Sequence, residues 1–451
     1  MSATENNDKK RPPIRHLLRA LRSRNYRLFV AGQSVSLVGT WMQMVAMSWL
    51  VYRLTGSAML LGVIGFISQI PTLLISPVAG VLADRWDRRR LLIATQTLAM
   101  LQAACLALVV LTGIVQVWQI ILLSLILGIV SAFDIPIRQS FVVEMVEHRE
   151  DLGNAIALNS SMVNGARLIG PSIAGLLVAS VGEGICFVLN AISYLAVIVA
   201  LAAMRLPQVS HRRHARRPIL QELHEGFLYA YEFGPIRSIL LLLALVSLMG
   251  MPYSVLVPVF AKEILHGGAH TFGFLMAAAG SGAMVGTLYL ASRHSVLGLG
   301  RVIVMATIFF AVGIATFALS SHFILSLTAL AVTGFGGMTL VASCNTVLQT
   351  VLDEDKRGRV MSFFTVAFLG VTPFGSLGAG SMAGIIGPRG TLLLGSVGCL
   401  VGAAVFARYL PQIREQVRPI YLRMGIIQEV ANGMESAAEQ PLLPEDHSSE
   451  K

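Results

Sequence analysis

A short segment of this chain places two aspartates beside four arginines, between two long apolar runs. It reads Gly80-Val-Leu-Ala-Asp84-Arg85-Trp-Asp87-Arg88-Arg89-Arg90. A further carboxylate, Asp134, ends another apolar run. A carboxylate next to an apolar layer needs a cation or a helix N-terminus as its partner. These residues therefore indicate ion pairs that could form and break as helices move. The alternative is that the arginines only fix the orientation of the chain in a membrane.

A second set of polar side chains recurs at helical spacing inside the first apolar run. Its members are Gln33, Ser36, Thr40, Gln43 and Met47, spaced 3, 4, 3 and 4 residues apart. Such spacing puts them on one face of a helix. Amides in hydrocarbon are costly unless they are paired or face water. The stripe therefore predicts either the wall of an aqueous substrate cavity or polar contacts between helices.

Arg167 is the only basic side chain inside an apolar run, and Asn164 lies one turn before it. An arginine within a membrane span is a functional candidate by default. Its structural alternative is binding to carbonyl groups near Pro171, whose ring leaves one carbonyl of the helix unpaired. We include Asn159, Asn164 and Arg167 among the predicted cavity residues.

The elements that must hold these residues follow from composition. Of 451 residues, 55% are apolar and 13% are charged, too few charges to cover a soluble globule. Twelve apolar runs can be marked, each near the roughly 20 residues that a membrane helix needs. We predict an all-α integral membrane protein with two six-helix bundles. The expected parts are a basic N-terminal segment (1–26), a first bundle (27–205), a linker with a surface helix (206–236), a second bundle (237–410) and a disordered tail (411–451).

The distribution of basic residues predicts the orientation. If both ends are cytosolic, 30 of the 34 lysines and arginines fall on the cytosolic side. This agrees with the positive-inside rule and with an even number of spans. The net charge of +10 then needs no nucleic-acid partner. The four cysteines lie in apolar runs without metal-ligand spacing, so no metal site is expected.

The charged segment resembles the signature loop of the major facilitator superfamily, in which Gly80, Asp84, Arg85, Arg88 and Arg89 match. Asp87 stands where the general pattern has glycine, as is usual in the branch of enterobactin-exporter-like transporters. Further stretches resemble that branch, including Phe133-Asp134-Ile-Pro-Ile-Arg138-Gln139 and Arg357-Gly-Arg359-Val-Met-Ser362. The resemblance implies a twelve-helix major facilitator fold in the cell (inner or plasma) membrane. It also implies that Asp84 faces the start of span 11 and that Arg88 pairs with Asp134, as a conformational latch.

The resemblance further implies a secondary active transporter that works by alternating access. We expect export of an amphipathic small molecule, either a siderophore-like metabolite or a drug. Uptake and lysophospholipid flipping are the alternatives within the fold, and a membrane receptor or scaffold is the alternative outside it. Catalytic motifs and a phosphate-binding loop are absent from the sequence, so we expect neither an enzyme nor a cofactor. We expect a monomer. No carboxylate lies in the middle of a span, so the usual buried group for proton coupling has no candidate. The sequence does not assign the coupling ion, and protons are one candidate.

Overall fold

The computed structural model describes residues 19–83, 86–146, 149–205, 228–293, 295–352 and 354–424. Two short 3₁₀ helices, Arg19–Arg22 and Arg149–Asp151, lie before the first and fifth long helices. The first half contains α1 (Arg24–Thr55), α2 (Ala58–Ala83), α3 (Arg88–Leu111), α4 (Val117–Met145), α5 (Leu152–Val181) and α6 (Glu183–Ala203). The second half contains α7 (Gly234–Met249), α8 (Tyr253–Val259), α9 (Ala269–Ala291), α10 (Leu299–Leu319), α11 (Phe323–Val351), α12 (Glu354–Thr365) and α13 (Thr372–Arg423).

Long helices follow from the long apolar runs, because only a helix satisfies every backbone polar group of a single span within the bilayer. Among the described residues, eleven helical segments are long and apolar enough to cross a membrane. One of them, Val360–Arg423, has 64 residues. It contains a break at Gly387, where φ is 77° and ψ is 163°. Counting its two sides separately gives twelve spans, and the predicted fold class is confirmed.

Two spans of the second half are interrupted near their middle. The chain leaves helical geometry between α7 and α8, at Gly250-Met251-Pro252, and continues after α8 as a π-helical turn, Phe260–Ile264. A second π-helical turn, Val366–Gly370, separates α12 from α13. Turns of this kind are frequent at functional sites. Gly250 is required at the first break, because a Cβ there would lie 2.4 Å from the ring of Phe310.

The helices form two halves that meet along two seams. In the first half α1 packs between α5 and α6, and in the second half α11 packs between α9 and α10. The seams join α2 to α13 and α5 to α9. Both seams are therefore made by helices that belong to different halves, so relative motion of the halves must open or close them.

Loop contacts define two opposite faces of the bundle. At the terminal face, where the described chain begins and ends, Arg19 pairs with Asp151 and the Asn25 amide donates to the Arg205 carbonyl at 2.9 Å. At the distal face, Arg53 forms two hydrogen bonds with Glu183, at 2.7 and 3.2 Å. These contacts place the segments before α1 and after α6 on one face, as an even number of spans requires.

The boundaries of the end segments differ from those expected. Residues 411–423 were predicted to be disordered, but after the break at Gly387 the helix continues to Arg423. Ile413 and Val417 are buried there, and Gln416 lies against Gly234 at the start of α7. Apolar burial explains the added helical turns. Residues 1–18, 206–227 and 425–451, with most of the predicted surface helix, lie outside the described residues.

Candidate functional site

Arg167 lies at the centre of α5, with 14 to 15 helical residues on either side. Its guanidinium carbon is 5.0 Å from the centroid of the Trp41 ring of α1. A cation over an indole ring is attracted by the negative face of the ring, most strongly where water is excluded. Within the described part of the chain Arg167 has no carboxylate and no carbonyl as a hydrogen-bond partner. The predicted alternative of carbonyl binding near Pro171 is therefore not seen.

Tyr253, the first residue of α8, faces Arg167 from the other half and lies close enough to interact with it electrostatically. Its ring meets Phe310 edge-on, with centroids 6.2 Å apart. Trp41, Arg167 and Tyr253 are each half-buried. We call these three residues the central site. It places a cation, which has no countercharge among the described residues, over one aromatic ring and near the Tyr253 side chain, at the depth where the two halves meet.

The seam between α5 and α9 passes directly beside the central site. A Cβ on Gly280 would lie 2.7 Å from the Arg167 carbonyl oxygen, and a Cβ on Gly175 would lie 2.7 Å from the Cα of Gly273. The second seam is similar, since a Cβ on Gly62 would lie 2.6 Å from the Ser376 carbonyl oxygen. Small residues allow such close backbone approach between membrane helices. Both halves are therefore in direct backbone contact in this conformation.

Near the distal face, side chains from the two halves close over the central site. The Tyr52 hydroxyl of α1 donates a hydrogen bond to Glu263 in the first π-helical turn. The Lys262 ammonium lies 5.7 Å from the centroid of the Tyr52 ring. Trp49 and Phe272 stack with centroids 6.2 Å apart. We call these five residues the distal gate.

The opposite end of the bundle is arranged differently. Helices α4 and α11 both run to the terminal face, and each packs chiefly on helices of its own half. The close contacts between halves described above lie between the distal face and the middle of the spans. The structure is therefore closed at the distal gate, while among the described residues α4 and α11 make few contacts across the halves at the terminal side.

The polar stripe of α1 turns toward α3 and α6 rather than toward an open cavity. Gln43 donates to the Gln102 side chain at 3.0 Å and accepts from the Asn190 amide at 2.7 Å. Asn190 also accepts from Ser193 at 3.0 Å. These four residues are buried and form what we call the amide network. Gln43 therefore makes polar contacts between helices and does not line a cavity, because both the nitrogen and the oxygen of its amide are hydrogen-bonded within the first half.

The remaining predicted cavity residues are distributed over different environments. Thr40 is half-buried and donates to the Ser36 carbonyl at 2.9 Å. Gln33, Ser36 and Met47 are buried, and the Gln33 carbonyl oxygen has no hydrogen-bond partner among the described residues. Further along the chain, Asn164 is buried and donates back to the Ser160 carbonyl, whereas Asn159 is half-buried. Arg167 is thus the member of the predicted set that the structure brings into the central site.

The predicted pairing of Arg88 with Asp134 is not formed in this conformation. Arg88 forms an ion pair with Glu144 near the end of α4. Asp134 is 8% exposed and accepts hydrogen bonds from Thr95 and Gln96 at 3.0 and 2.7 Å. The Asp134 carboxylate also faces Arg138, one turn further along α4, at 3.6 Å. Because donors of α3 and α4 already surround Asp134, it stabilises the first half internally in this conformation.

Of the other residues in the charged segment, some cap the end of a neighbouring helix and some lie outside the described residues. Arg89 donates to the carbonyls of Leu201 and Ala202, at 2.7 and 2.6 Å, and so caps the C-terminus of α6. Asp87 caps the N-terminus of α3. Gly80 belongs to the last turns of α2, and the predicted latch residues Asp84 and Arg85 lie outside the described residues.

The aromatic and acidic partners of the site were not predicted from the sequence. Trp41, Tyr253 and Glu263 come from different halves or different spans, and no local spacing relates them. One signal was available for the distal gate. Lys262 and Glu263 are adjacent charged residues directly after a long apolar run, on the side predicted to hold few charges.

The family model for transmembrane secretion effectors matches residues 17–422. The chain therefore belongs to this family of the major facilitator superfamily. It is a multi-pass membrane transporter rather than an enzyme.

Named relatives agree with this class. The chain is 26% identical to a staphyloferrin A transporter of Staphylococcus aureus, over 77% of this chain and 87% of the relative. It is 24% identical to the multidrug efflux pump Tap of Mycolicibacterium fortuitum, over 84% and 93%. Among solved structures, a bacterial homologue of the human lysosomal transporter Spinster, in an inward-facing and unoccupied conformation, matches with a TM-score of 0.65 and 15% identity. That match covers 87% of this chain and 98% of the other. At this identity the structural match supports the fold alone.

Proposed function

We propose that this transporter exports an amphipathic small molecule that carries an anionic group. The observation that carries the proposal is Arg167, a cation at mid-span that lies on Trp41 and has no carboxylate partner among the described residues. A charge at that depth is costly unless it is paired. An anionic group of the substrate would supply the missing countercharge, while Trp41 and Tyr253 offer apolar faces for the rest of the molecule. The multidrug efflux pump among the relatives favours export over uptake.

The transport cycle is proposed to alternate between the two ends of the bundle. In the present conformation the distal gate is closed, so substrate would enter from the terminal side. Rocking of the halves would then separate the distal gate and bring α4 and α11 together. Because the seams are made of backbone contacts at glycines, they can separate without breaking large interdigitated side chains.

The orientation is proposed from charge. The terminal face is the cytosolic face of the plasma membrane, because 30 of 34 basic residues are assigned to it. Single cysteines at Ser210 and Ser449 should react with an impermeant thiol reagent only after the cells are opened. Labelling of either position in intact cells would contradict the orientation.

The latch and the coupling ion are proposed as follows. Asp84 faces the start of α12 and holds the terminal side closed in the opposite conformation, where Arg85 and Arg88 assist. Protons would have to act through Asp84 or Asp134 at the cytosolic ends of their spans, since no carboxylate lies in the middle of a span. In proteoliposomes with an imposed pH gradient, a steep dependence that survives Asp84→Asn together with Asp134→Asn would overturn this proposal.

The substrate proposal is tested by efflux from cells that lack other pumps. Candidate anionic and neutral amphipaths of similar size are compared between the wild type, Arg167→Gln and Arg167→Lys. The matched control is Arg27→Gln, which removes an exposed arginine at the terminal end of α1.

We expect Arg167→Gln to lose export of the anionic compounds by at least tenfold, in line with the loss of about 1.5–3 kcal/mol for a hydrogen bond to a charged group. Arg167→Lys should retain part of it, and the control should match the wild type. Equal loss for neutral and anionic compounds would contradict the anionic substrate class. Net accumulation instead of efflux would contradict export.

A further inference from the structure

A pocket of about 360 Å³ lies on the outside of the second half, away from the central site. Helices α9 and α10 both pack along α11, and the pocket lies between them with α11 as its floor. Its walls are the aromatic rings of Tyr289, Phe309 and Phe335 together with Met305. Tyr289, Met305 and Phe309 are exposed in the isolated chain, so the pocket opens toward the surrounding bilayer.

The pocket has the depth of one lipid leaflet. Arg301, in the first turn of α10, stands at its mouth, and Phe309 lies two turns further in. At 1.5 Å per residue, the eight residues between them span about 12 Å. Half of a typical hydrocarbon core is about 15 Å thick. The pocket therefore runs from the membrane surface, at the terminal face, nearly to the midplane.

The mouth of the pocket is positively charged. The Arg301 guanidinium is exposed and forms no ion pair with a described residue. Arg293, on the connection from α9, donates to the hydroxyl of Tyr289 in the pocket wall at 3.3 Å and to the Leu297 carbonyl at 2.9 Å. Its Nε is buried and has no partner among the described residues. One guanidinium group thus lines the pocket and a second is hydrogen-bonded to its wall, both at the terminal face.

The floor of the pocket also contains a buried polar atom. The hydroxyl of Thr339 is buried in the floor and has no hydrogen-bond partner among the described residues. A buried hydroxyl without a partner is destabilising. An ester carbonyl below a phosphate headgroup would lie at a suitable level to accept its hydrogen bond.

We infer that this pocket binds one phospholipid with an anionic headgroup, taken from the cytosolic leaflet. The phosphate is held by Arg301 and Arg293, and one acyl chain lies between the aromatic walls. Arginine suits phosphate because its planar fork offers several donors at once. No member of the central site lines the pocket, so this lipid is a bound structural ligand and not the transported molecule.

The test is a titration of the purified full-length protein in detergent, followed by native mass spectrometry. The probes are palmitoyl-oleoyl phosphatidylglycerol, palmitoyl-oleoyl phosphatidylcholine and inorganic phosphate. The variants are Arg301→Ala and Arg301→Lys, with Arg27→Ala as the control for the loss of one exposed arginine at the same face. A phosphatidylglycerol with a photoreactive acyl chain maps the site by cross-linking.

We expect phosphatidylglycerol to bind more tightly than phosphatidylcholine and to bind about fivefold more weakly to Arg301→Ala, as for one basic residue at an anionic surface. Arg301→Lys and Arg27→Ala should stay within twofold of the wild type. The cross-links should fall on Met305, Phe309 or Phe335. Equal binding of the two lipids, unchanged binding by Arg301→Ala, cross-links elsewhere, or displacement of the lipid by phosphate alone would each overturn the inference.

Discussion

Gly380 offers a direct way to perturb the balance between the two conformations. It lies in α13 at the seam with α2, where a Cβ would stand 2.7 Å from the Ala58 carbonyl oxygen and 2.9 Å from the Cα of Gly62. Ordinary contact needs about 3.5–4.0 Å, so Gly380→Ala must push the two backbones apart by about 1 Å. The strain exists only while the seam is closed.

The size of the effect follows from the cost of overpacking. Inserting a methyl group into a well-packed contact costs typically about 1–3 kcal/mol. Applied to one of two conformations, that cost shifts their ratio by roughly 5- to 150-fold. We therefore expect Gly380→Ala to favour the conformation that is open at the distal face. Transport should fall as well, because the cycle needs both conformations.

The assay measures the distance between spin labels at the distal face. Labels are placed at Thr112 in the first half and Ile324 in the second, both of which are exposed. Cys105, the exposed native cysteine, is first replaced by serine. The matched control is Gly378→Ala, two residues away in the same helix, where nothing lies within 4 Å of the added Cβ. Both substitutions change helix propensity alike, so only the contact at the seam differs.

The wild type and Gly378→Ala should show mainly the short distance, and Gly380→Ala should show a larger population at the long distance. If Gly380→Ala gives the same distance distribution as its control while remaining monodisperse, the seam does not distinguish the two conformations. The reasoning about glycine contacts would then be refuted.

Three further predictions concern the distal gate, the amide network and the break in α13. Tyr52→Phe removes the hydrogen bond to Glu263 and should lower the ratio of the short-distance to the long-distance population about tenfold, in keeping with about 1.5 kcal/mol for a hydrogen bond to a charged group; an unchanged distribution would exclude this bond from the gate. Asn190→Ala leaves a buried amide partner unsatisfied, which costs about 1–3 kcal/mol, and should lower the melting temperature measured by scanning fluorimetry; a melting temperature equal to the wild type would contradict the network's role. Gly387→Ala places a side chain at positive φ and should lower the melting temperature through about 1–3 kcal/mol of backbone strain, whereas Gly384→Ala in open space should not.

The architecture could be predicted because its signals are long and repeated. Twelve apolar runs define the spans without any knowledge of contacts, and the one-sided distribution of basic residues agrees with their even number. The joint between the last two spans was predicted near Gly387, because Gly387, Pro388 and Arg389 interrupt the apolar sequence there. The extension of α13 to Arg423 was not predicted, since the buried residues beyond 410 are separated by charged ones.

The site was predicted only in part. The spacing of polar residues shows which of them share one face of a helix, but it does not show which other helix that face contacts. Gln43 and Thr40 were correctly placed on one face, but that face turned out to meet α3 and α6. Arg167 stood out because a lone cation in a span is unusual, yet nothing in the sequence pointed to Trp41 as its partner. The partner of Arg88 in this conformation could not be predicted because Glu144 and Asp134 lie on the same helix, and spacing along α4 does not decide which of them meets Arg88 of α3.

The amide network also has a consequence for how the protein is made. Gln43 lies in α1, whose mean hydropathy of 1.3 is lower than that of the other spans, and its partner Asn190 follows 147 residues later. At synthesis rates of about 5–20 residues per second, that partner emerges from the ribosome roughly 7–30 s after Gln43. During this interval the side-chain oxygen of Gln43 lacks the hydrogen bond from Asn190. The low hydropathy of the first span also gives it little free energy of transfer into the lipid. Its early retention must therefore depend on the insertion machinery or on α3, so defects at Asn190 should appear as degradation of nascent chains before any loss of transport is measurable.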